Sequence, residues 1–234
     1  MIKTKRRYRA AEVAARGELF GIALDGVLAR TPAGAELLVP TRPLAEAIAT
    51  EWQAQGTELA PESMPLTRLA NAAIDRVKPG RQDIIADIAA YAESDLVCYR
   101  ADEPQDLVNA QEAAFGPVLK WVRERFGAEL RVGAGIMPVA QDPAAVAKLK
   151  EAAASFDDMM MAALYSTTKN CGSFVLALAL AEGRIDPQEV LALSQTDEAY
   201  QAGRWGLDPV HAAKRDQLAR ELASSARFME LCRA

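Results

Sequence analysis

The hydrophobic period of this 234-residue chain changes once, near Thr41, and that change limits the folds open to it. Before Thr41 the apolar runs are short. Glu18–Leu24 (ELFGIAL) leads into Asp25-Gly26, and Val27–Thr31 follows. Asp-Gly between apolar runs is a strong hairpin signal, because both turn positions need φ above zero. Pro32-Ala33-Gly34 makes a second turn before Ala35–Val39. The spacing predicts an antiparallel meander too small to stand alone.

After Thr41 the period is helical. Thr41 can cap a helix whose first turn holds Pro43, and Leu44, Ile48 and Trp52 form one apolar stripe ending at Gly56. Met64–Val77 and Arg81–Ala92 repeat the pattern, and Asp95–Arg100 is short and strand-like. Gln105–Phe126 is expected to split at Pro117, since a proline inside a helix removes a hydrogen bond and clashes with the preceding turn. Asp142-Pro143 and Asp186-Pro187 predict helices over Pro143–Ser155 and Pro187–Gly203. Asp157–Asn170 and Gly172–Glu182 fill the space between, and Asp208-Pro209 opens a last helix to about Leu231. The fold class is α+β: a small antiparallel β-rich domain over 1–60, ending in a helix, then a helical bundle over 61–234. The boundary is set near Pro61, where APESMP breaks the pattern.

Composition excludes several functions. Lys and Arg number 27 against 32 Asp and Glu, a net charge of −5, which argues against a nucleic-acid surface. The one basic run, Lys3–Arg9, reads as a solvated arm. Cys98, Cys171 and Cys232 are odd in number and widely spaced, so no disulfide framework is expected and a reducing compartment is. The longest apolar stretch, Ser173–Ala181, is far short of the roughly 20 residues that span a bilayer, so it reads as a buried core helix and no membrane insertion is expected. No secretory or transit signal is expected at the start.

Catalytic motifs are missing. The single histidine, His211, lies beside Lys214 and Arg215 and reads as an exposed helix residue. No zinc spacing exists, and Gly133-Ala134-Gly135 reads as a tight connection because Pro138 stands where a dinucleotide fingerprint needs its third glycine. The carboxylate pairs Asp102-Glu103, Asp157-Asp158 and Asp197-Glu198 are adjacent, so their members diverge on a helix. No catalytic, cofactor or metal residue is therefore assigned. The rival readings are a small-molecule enzyme with distant carboxylates and Arg100 or Arg131 as an anion clamp, and a general adaptor bundle.

Several words of the sequence carry a resemblance. They are Leu24–Gly56 (LDGVLARTPAGAELLVPTRPLAEAIATEWQAQG), Met64–Val77 (MPLTRLANAAIDRV), Asp95–Ala101 (DLVCYRA), Gly135–Gln141 (GIMPVAQ) and Asp197–Asp208 (DEAYQAGRWGLD). Together, from about Leu19 to about Phe228, they resemble the assembly-chaperone family that attends the α subunit of the catalytic F(1) head of ATP synthase. The resemblance implies a β domain joined to an orthogonal helical bundle. It also implies a monomeric, cofactor-free chaperone that shields the β-facing surface of free α until β displaces it. A bacterial cytoplasmic setting is expected, with a mature mitochondrial-matrix form as the alternative. In the pattern DE-x-[YF]-Q-x3-WG the glutamate, here Glu198, is implied as the charged contact to α. Trp205 is read either as a core plug or as the rim of a binding surface, with Gly206 at φ above zero and Asp208 beside it. Trp52 packs its helix or touches the partner, and Glu51 points elsewhere and could be exposed. Of the adjacent Met159, Met160 and Met161, two are expected inside and one at the surface, where methionine would suit an irregular apolar partner.

Overall fold

A computed structural model describes residues 5–135, 137–206 and 208–234. In chain order the sheet elements are β1 (Ala11–Arg16), β2 (Leu19–Leu24), β3 (Val27–Leu28), β4 (Leu38–Val39), β5 (Tyr99–Arg100) and β6 (Gly133–Ala134). The helices are α1 (Arg42–Gln53), α2 (Pro65–Ala72), α3 (Arg81–Glu93), α4 (Gln105–Phe126) and α5 (Pro143–Ala154), then α6 (Asp158–Cys171), α7 (Phe174–Ala181), α8 (Pro187–Ser194), α9 (Thr196–Trp205) and α10 (Pro209–Arg233). A small antiparallel sheet followed by a larger helical part is the α+β class expected. Two compact units result. One is Met1–Arg81 with Asp157–Ala163 and Arg227–Ala234; the other is Gln82–Phe156 with Leu164–Ala226.

In the first unit β2 is the central strand. It pairs antiparallel with β1 along six residues, and its other edge is shared by β3 and β4. Asp25 and Gly26 have φ of 47° and 83°, the mirror-image turn that Asp-Gly predicts. Gly21 serves a different purpose. A Cβ there would lie 2.6 Å from a methyl of Leu28 and 3.1 Å from one of Leu38, so its bare backbone lets both leucines cross the sheet. Strand β1 had no strong signal, because AEVAAR is poor in β-formers; its full ladder with β2 overrides propensity. Helix α1 lies against β1 and β2 and buries Leu44 and Ile48. Thr41 caps it by accepting from the Leu44 N–H, and donates its hydroxyl to the Leu231 carbonyl.

This unit extends past the expected boundary at residue 60, and its hydrogen bonds explain why. Glu51 of α1 accepts from the N–H groups of Leu66 and Thr67, both at 2.8 Å, and from the Thr67 hydroxyl. A carboxylate at a helix N-terminus satisfies otherwise orphaned donors, so α2 is stitched onto α1. Asp75, in a single π-helical turn over Ala73–Val77, accepts from the Thr31 hydroxyl and the Ala33 N–H. Arg81 reaches Asp158 at 2.6 Å. Met160 and Met161 are buried and Met159 is half-buried, close to the expected split. The basic run is not a free arm. Arg6 donates to the carbonyls of Tyr8, Arg9, Gln53 and Gln55, and so ties the segment to the end of α1. Lys3 lies outside the described residues.

The second unit is helical around α7, whose eight residues (FVLALALA) are all buried. Helix α4 runs unbroken for 22 residues with Pro117 inside it, contrary to the expected split. Its buried face, Gln111, Phe115, Val118 and Val122, continues on both sides of the proline, and that packing offsets a defect of ~3 kcal/mol. The expected helix Pro187–Gly203 is instead two, parted at Gln195. There Thr196 turns its hydroxyl onto the Leu193 carbonyl at 2.8 Å, a side-chain bond that competes with helix continuation. Gly133-Ala134, expected as a mere connection, forms the parallel partner of β5.

Asp95 holds this unit's core together. It is wholly buried and caps both the 3-10 turn Leu96–Cys98 and, across the chain, α7. Its carboxylate accepts from the Ser173 hydroxyl at 2.6 Å, the Val175 N–H at 3.0 Å and the Val97 N–H at 3.2 Å. Burial pushes its pKa up from 3.8 to about 6 against the pull of these donors. Burial likewise pushes Cys98, Cys171 and Cys232 up to about 12, so all three stay protonated thiols of low reactivity.

The Asp95 shift has a definite sign. Between pH 3.8 and about 6 the folded chain keeps a proton that the unfolded chain has lost. Stability from this group is fully present below pH 3.8 and falls as pH rises through 6. In urea unfolding at pH 4 and pH 7, the stability of Asp95→Asn relative to wild type is expected to improve by roughly 2 to 3 kcal/mol across that interval. A difference that stays constant with pH would show that Asp95 titrates as it does in the unfolded chain.

Candidate functional site

Helix α9 carries DEAYQAGRW and buries none of its residues. An amphipathic helix of a globular protein ordinarily buries an apolar stripe, so another attachment is required. Polar contacts to α4 supply it. Asp106 accepts from the Tyr200 hydroxyl and from Arg204, each at 2.7 Å. The Tyr200 hydrogen bond, seconded by Arg204, holds the Asp106 carboxyl below its ordinary range. The Arg204 guanidinium also stacks 4.8 Å above the Tyr200 ring. Closer to the helix start, buried Gln111 donates to Asp197 at 2.7 Å and accepts from the Ala101 N–H at 2.7 Å. Asp197, Tyr200 and Arg204 are three and four residues apart, so one face of α9 is spent on α4.

A second face is open. Glu198, Ala202 and Trp205 recur at i, i+4 and i+7. Trp205 is 75% exposed, which excludes the core-plug reading. Gly206 follows with φ 85° and ψ 161°, a backbone region nearly closed to residues with a Cβ. Asp208 then accepts from the Val210 N–H and lies 3.3 Å from His211 Nδ1. Val210 is 59% exposed, so two large apolar side chains stand in solvent at the α9–α10 connection. Leu207, between them, lies outside the described residues, as does Ile136 of the GIMPVAQ word.

Beside this face is a groove of about 710 Å³. One wall is Glu198, Ala199 and Ala202 of α9; the other is His211, Lys214, Arg215 and Leu218 of α10, again at i, i+3, i+4 and i+7. From the sequence His211, with Lys214 and Arg215 beside it, was read as an exposed helix residue rather than as a binding wall, although that spacing after Asp208-Pro209 was available to read.

Four of the six sequence candidates therefore converge: Glu198, Trp205, Gly206 and Asp208. Glu51 and Trp52 belong to the other compact unit and have internal tasks. Glu51 is committed to the start of α2, and burial raises its pKa against the Thr67 and Leu66 hydrogen bonds. Trp52 is half-buried, with the Tyr8 ring 5.7 Å from its own and the Tyr8 hydroxyl donating to its carbonyl at 2.6 Å. Its indole N–H is buried without a partner among the described residues.

The arginines considered as anion clamps are engaged within the chain, although Arg100 Nη2 is buried without a hydrogen-bond partner among the described residues. Arg100 is buried, bonded to Glu112 and to the carbonyls of Val97 and Tyr99, and lies over the Phe115 ring. Arg131 donates to the Ala140 carbonyl. Among the described residues no three His, Cys, Asp or Glu groups are placed to hold a metal, and no helix is long and apolar enough to cross a membrane.

Residues 5–123 match the family described as ATP12 chaperone protein. Atp12 of Paracoccus denitrificans superposes with a TM-score of 0.93 at 38% identity, over 98% of each chain. The Atu1473 protein of Agrobacterium tumefaciens gives 0.91 at 36% identity, over 97% of this chain and 85% of that one. The mitochondrial protein atp12 of Schizosaccharomyces pombe is 25% identical over 218 residues, 88% of this chain and 75% of its own length. Fold and matches together define an assembly chaperone of ATP synthase. The chain belongs to the ATP12 chaperone family.

The attachment of α9 can be tested apart from any partner. Asp106→Ala removes both the Tyr200 and the Arg204 contacts. Amide hydrogen exchange along Thr196–Trp205 is expected to quicken about tenfold, with α7 unchanged, because α9 lacks a buried stripe to hold it. Equal exchange in both proteins would mean that the clasp contributes nothing.

Proposed function

We propose that this chain binds the free α subunit of the F(1) head and covers its β-facing surface until β displaces it. It does so as a monomer and without a nucleotide or other cofactor. In a bacterial cell the exchange takes place in the cytoplasm, and in a mitochondrial setting in the matrix. The observation that carries the reading is the open stripe of α9. Glu198 has no hydrogen-bond or ion-pair partner among the described residues, and Trp205 stands in solvent seven residues on. A carboxylate and an indole presented together, on a helix with its opposite face already anchored, suit an interface: the indole buries area and the charge selects the partner. Glu51 and Trp52, spent on the first unit's own structure, are left out of this contact set.

Before β arrives, an isolated α subunit exposes apolar surface destined for burial, and such patches aggregate. A chaperone that covers them needs complementarity and an exchangeable affinity. The purified chain should therefore suppress light scattering by freshly diluted, unfolded α subunit without ATP.

Charge reversal at Glu198 gives the sharper test. Glu198→Lys leaves circular dichroism intact and shifts stability by no more than about 0.5 kcal/mol, because the side chain is exposed. Affinity for α is expected to fall tenfold or more, roughly, as an attraction becomes a repulsion. Glu198→Gln should be milder. Trp205→Ala is expected to cost roughly thirtyfold, the scale of an interfacial tryptophan anchor. Wild-type protection of α by folded Glu198→Lys and Trp205→Ala proteins would remove this face from the interface.

A further inference from the structure

The groove beside Glu198 has walls of opposite sign that do not close on each other. Glu198 stands on the α9 wall, and Lys214 and Arg215 stand on the α10 wall. All three are exposed, and within the described residues none has an ion-pair or hydrogen-bond partner. Between them the lining is mostly small and apolar, Ala192, Ala199 and Ala202 with Leu218 of α10, joined by the amides of Asn170 and Gln195. Three alanines in one groove leave room that side chains of this chain do not fill. At about 710 Å³ the space holds several large side chains from another molecule.

We propose that this groove takes an α-helical segment of the client, one whose apolar ridge runs between a basic flank and an acidic flank. The proposal rests on reading α9 as the client-binding face, and it specifies the client's chemistry. The basic flank faces Glu198, and the acidic flank faces Lys214 and Arg215. A client of one sign would satisfy one wall and be repelled by the other. A neutral apolar client would strip water from three charges without replacing it, which is unfavourable.

The secondary structure of the occupant follows from the walls. They are side chains of helices, whose own backbone groups are already paired internally. An extended segment lying in such a groove would find no ladder of donors and acceptors, and its buried backbone would go unsatisfied. A helix brings its own hydrogen bonds and presents anchors at i, i+3 or i+4 and i+7, the same spacing that the two walls display.

The experiment uses the full chain and the full-length α subunit of the same organism, with affinity measured at two salt concentrations. The double variant Lys214→Glu with Arg215→Glu should lose about tenfold or more in affinity. Its remaining binding should also respond differently to salt, since one set of attractive pairs is gone. Ala199→Leu, which fills the floor without touching a charge, should weaken binding too. Both should melt within about 2 °C of wild type, because the altered positions are exposed. A photo-crosslinker at position 199 should mark a segment of α with helical apolar spacing and both charge signs on its flanks. If Glu198→Lys abolishes binding while the double variant and Ala199→Leu bind as wild type does, the groove proposal is overturned and the α9 reading stands. A crosslink to an extended or single-sign segment also overturns it. If Glu198→Lys and Trp205→Ala bind normally as well, the α9 reading itself falls.

Discussion

The second unit depends on one buried carboxylate. Helix α7 is apolar on every side and can be surrounded by protein only if its end groups are satisfied. Its neighbours are mostly hydrocarbon, and water does not reach it. Asp95 and Ser173 answer that need jointly: Ser173 caps the Leu176 N–H, and Asp95 accepts from Val175 and from Ser173 itself. The same carboxylate caps the turn at Leu96–Cys98, so two segments nearly eighty residues apart are fixed by one group. The strand Tyr99–Arg100 follows directly from that turn and pairs with Gly133–Ala134. A titratable group fully inside a core costs stability when ionised, and its retention here is explained by the number of donors it organises.

Against that rigid centre, α9 is built on the opposite principle. It has no apolar anchor and is held by Asp106 and Gln111 of α4, whose partners lie at or near the surface. Segments with few buried contacts are the ones that adjust at low free-energy cost, and binding faces are commonly drawn from them. Polar attachment also leaves the remaining face of α9 unused, which is why Glu198 and Trp205 can be presented outward together. A helix that had buried its apolar stripe in the core would have had no tryptophan to offer.

Some of this was legible in the sequence, and particular residues show why the rest was not. The Asp25-Gly26 turn, the Thr41 cap, the Asp142 and Asp186 caps and the buried run Phe174–Ala181 are local signals, and each appears as read. The first forty residues read as strand, but the bounds of β1 were not legible because its order comes from pairing with β2 rather than from its own composition. The continuity through Pro117 was misjudged because tertiary packing decides it, and the break at Gln195 because a local bond from the Thr196 hydroxyl to the Leu193 carbonyl competes with the helix. Of the site, the α9 stripe could be found from spacing and resemblance. Its clasp could not, since Asp106 and Gln111 lie some ninety residues earlier in sequence. Glu51 misled for the same reason: a carboxylate near the end of α1 looks free until the start of α2 is seen to need it.

A chaperone that must surrender its client faces a limit on how tightly it binds, and the proposed two-signed groove suits that limit. Large apolar interfaces hold partners through slow dissociation, which hinders their displacement. Among the described residues the large exposed apolar side chains at the site are Trp205 and Val210, and the groove lining includes three alanines. Charges of both signs contribute chiefly to encounter rate and to rejection of wrong partners, and less to net affinity. Selectivity can thus be high while the complex stays exchangeable. A competitor that buries more apolar area on the proposed client would displace such a chaperone by that difference alone.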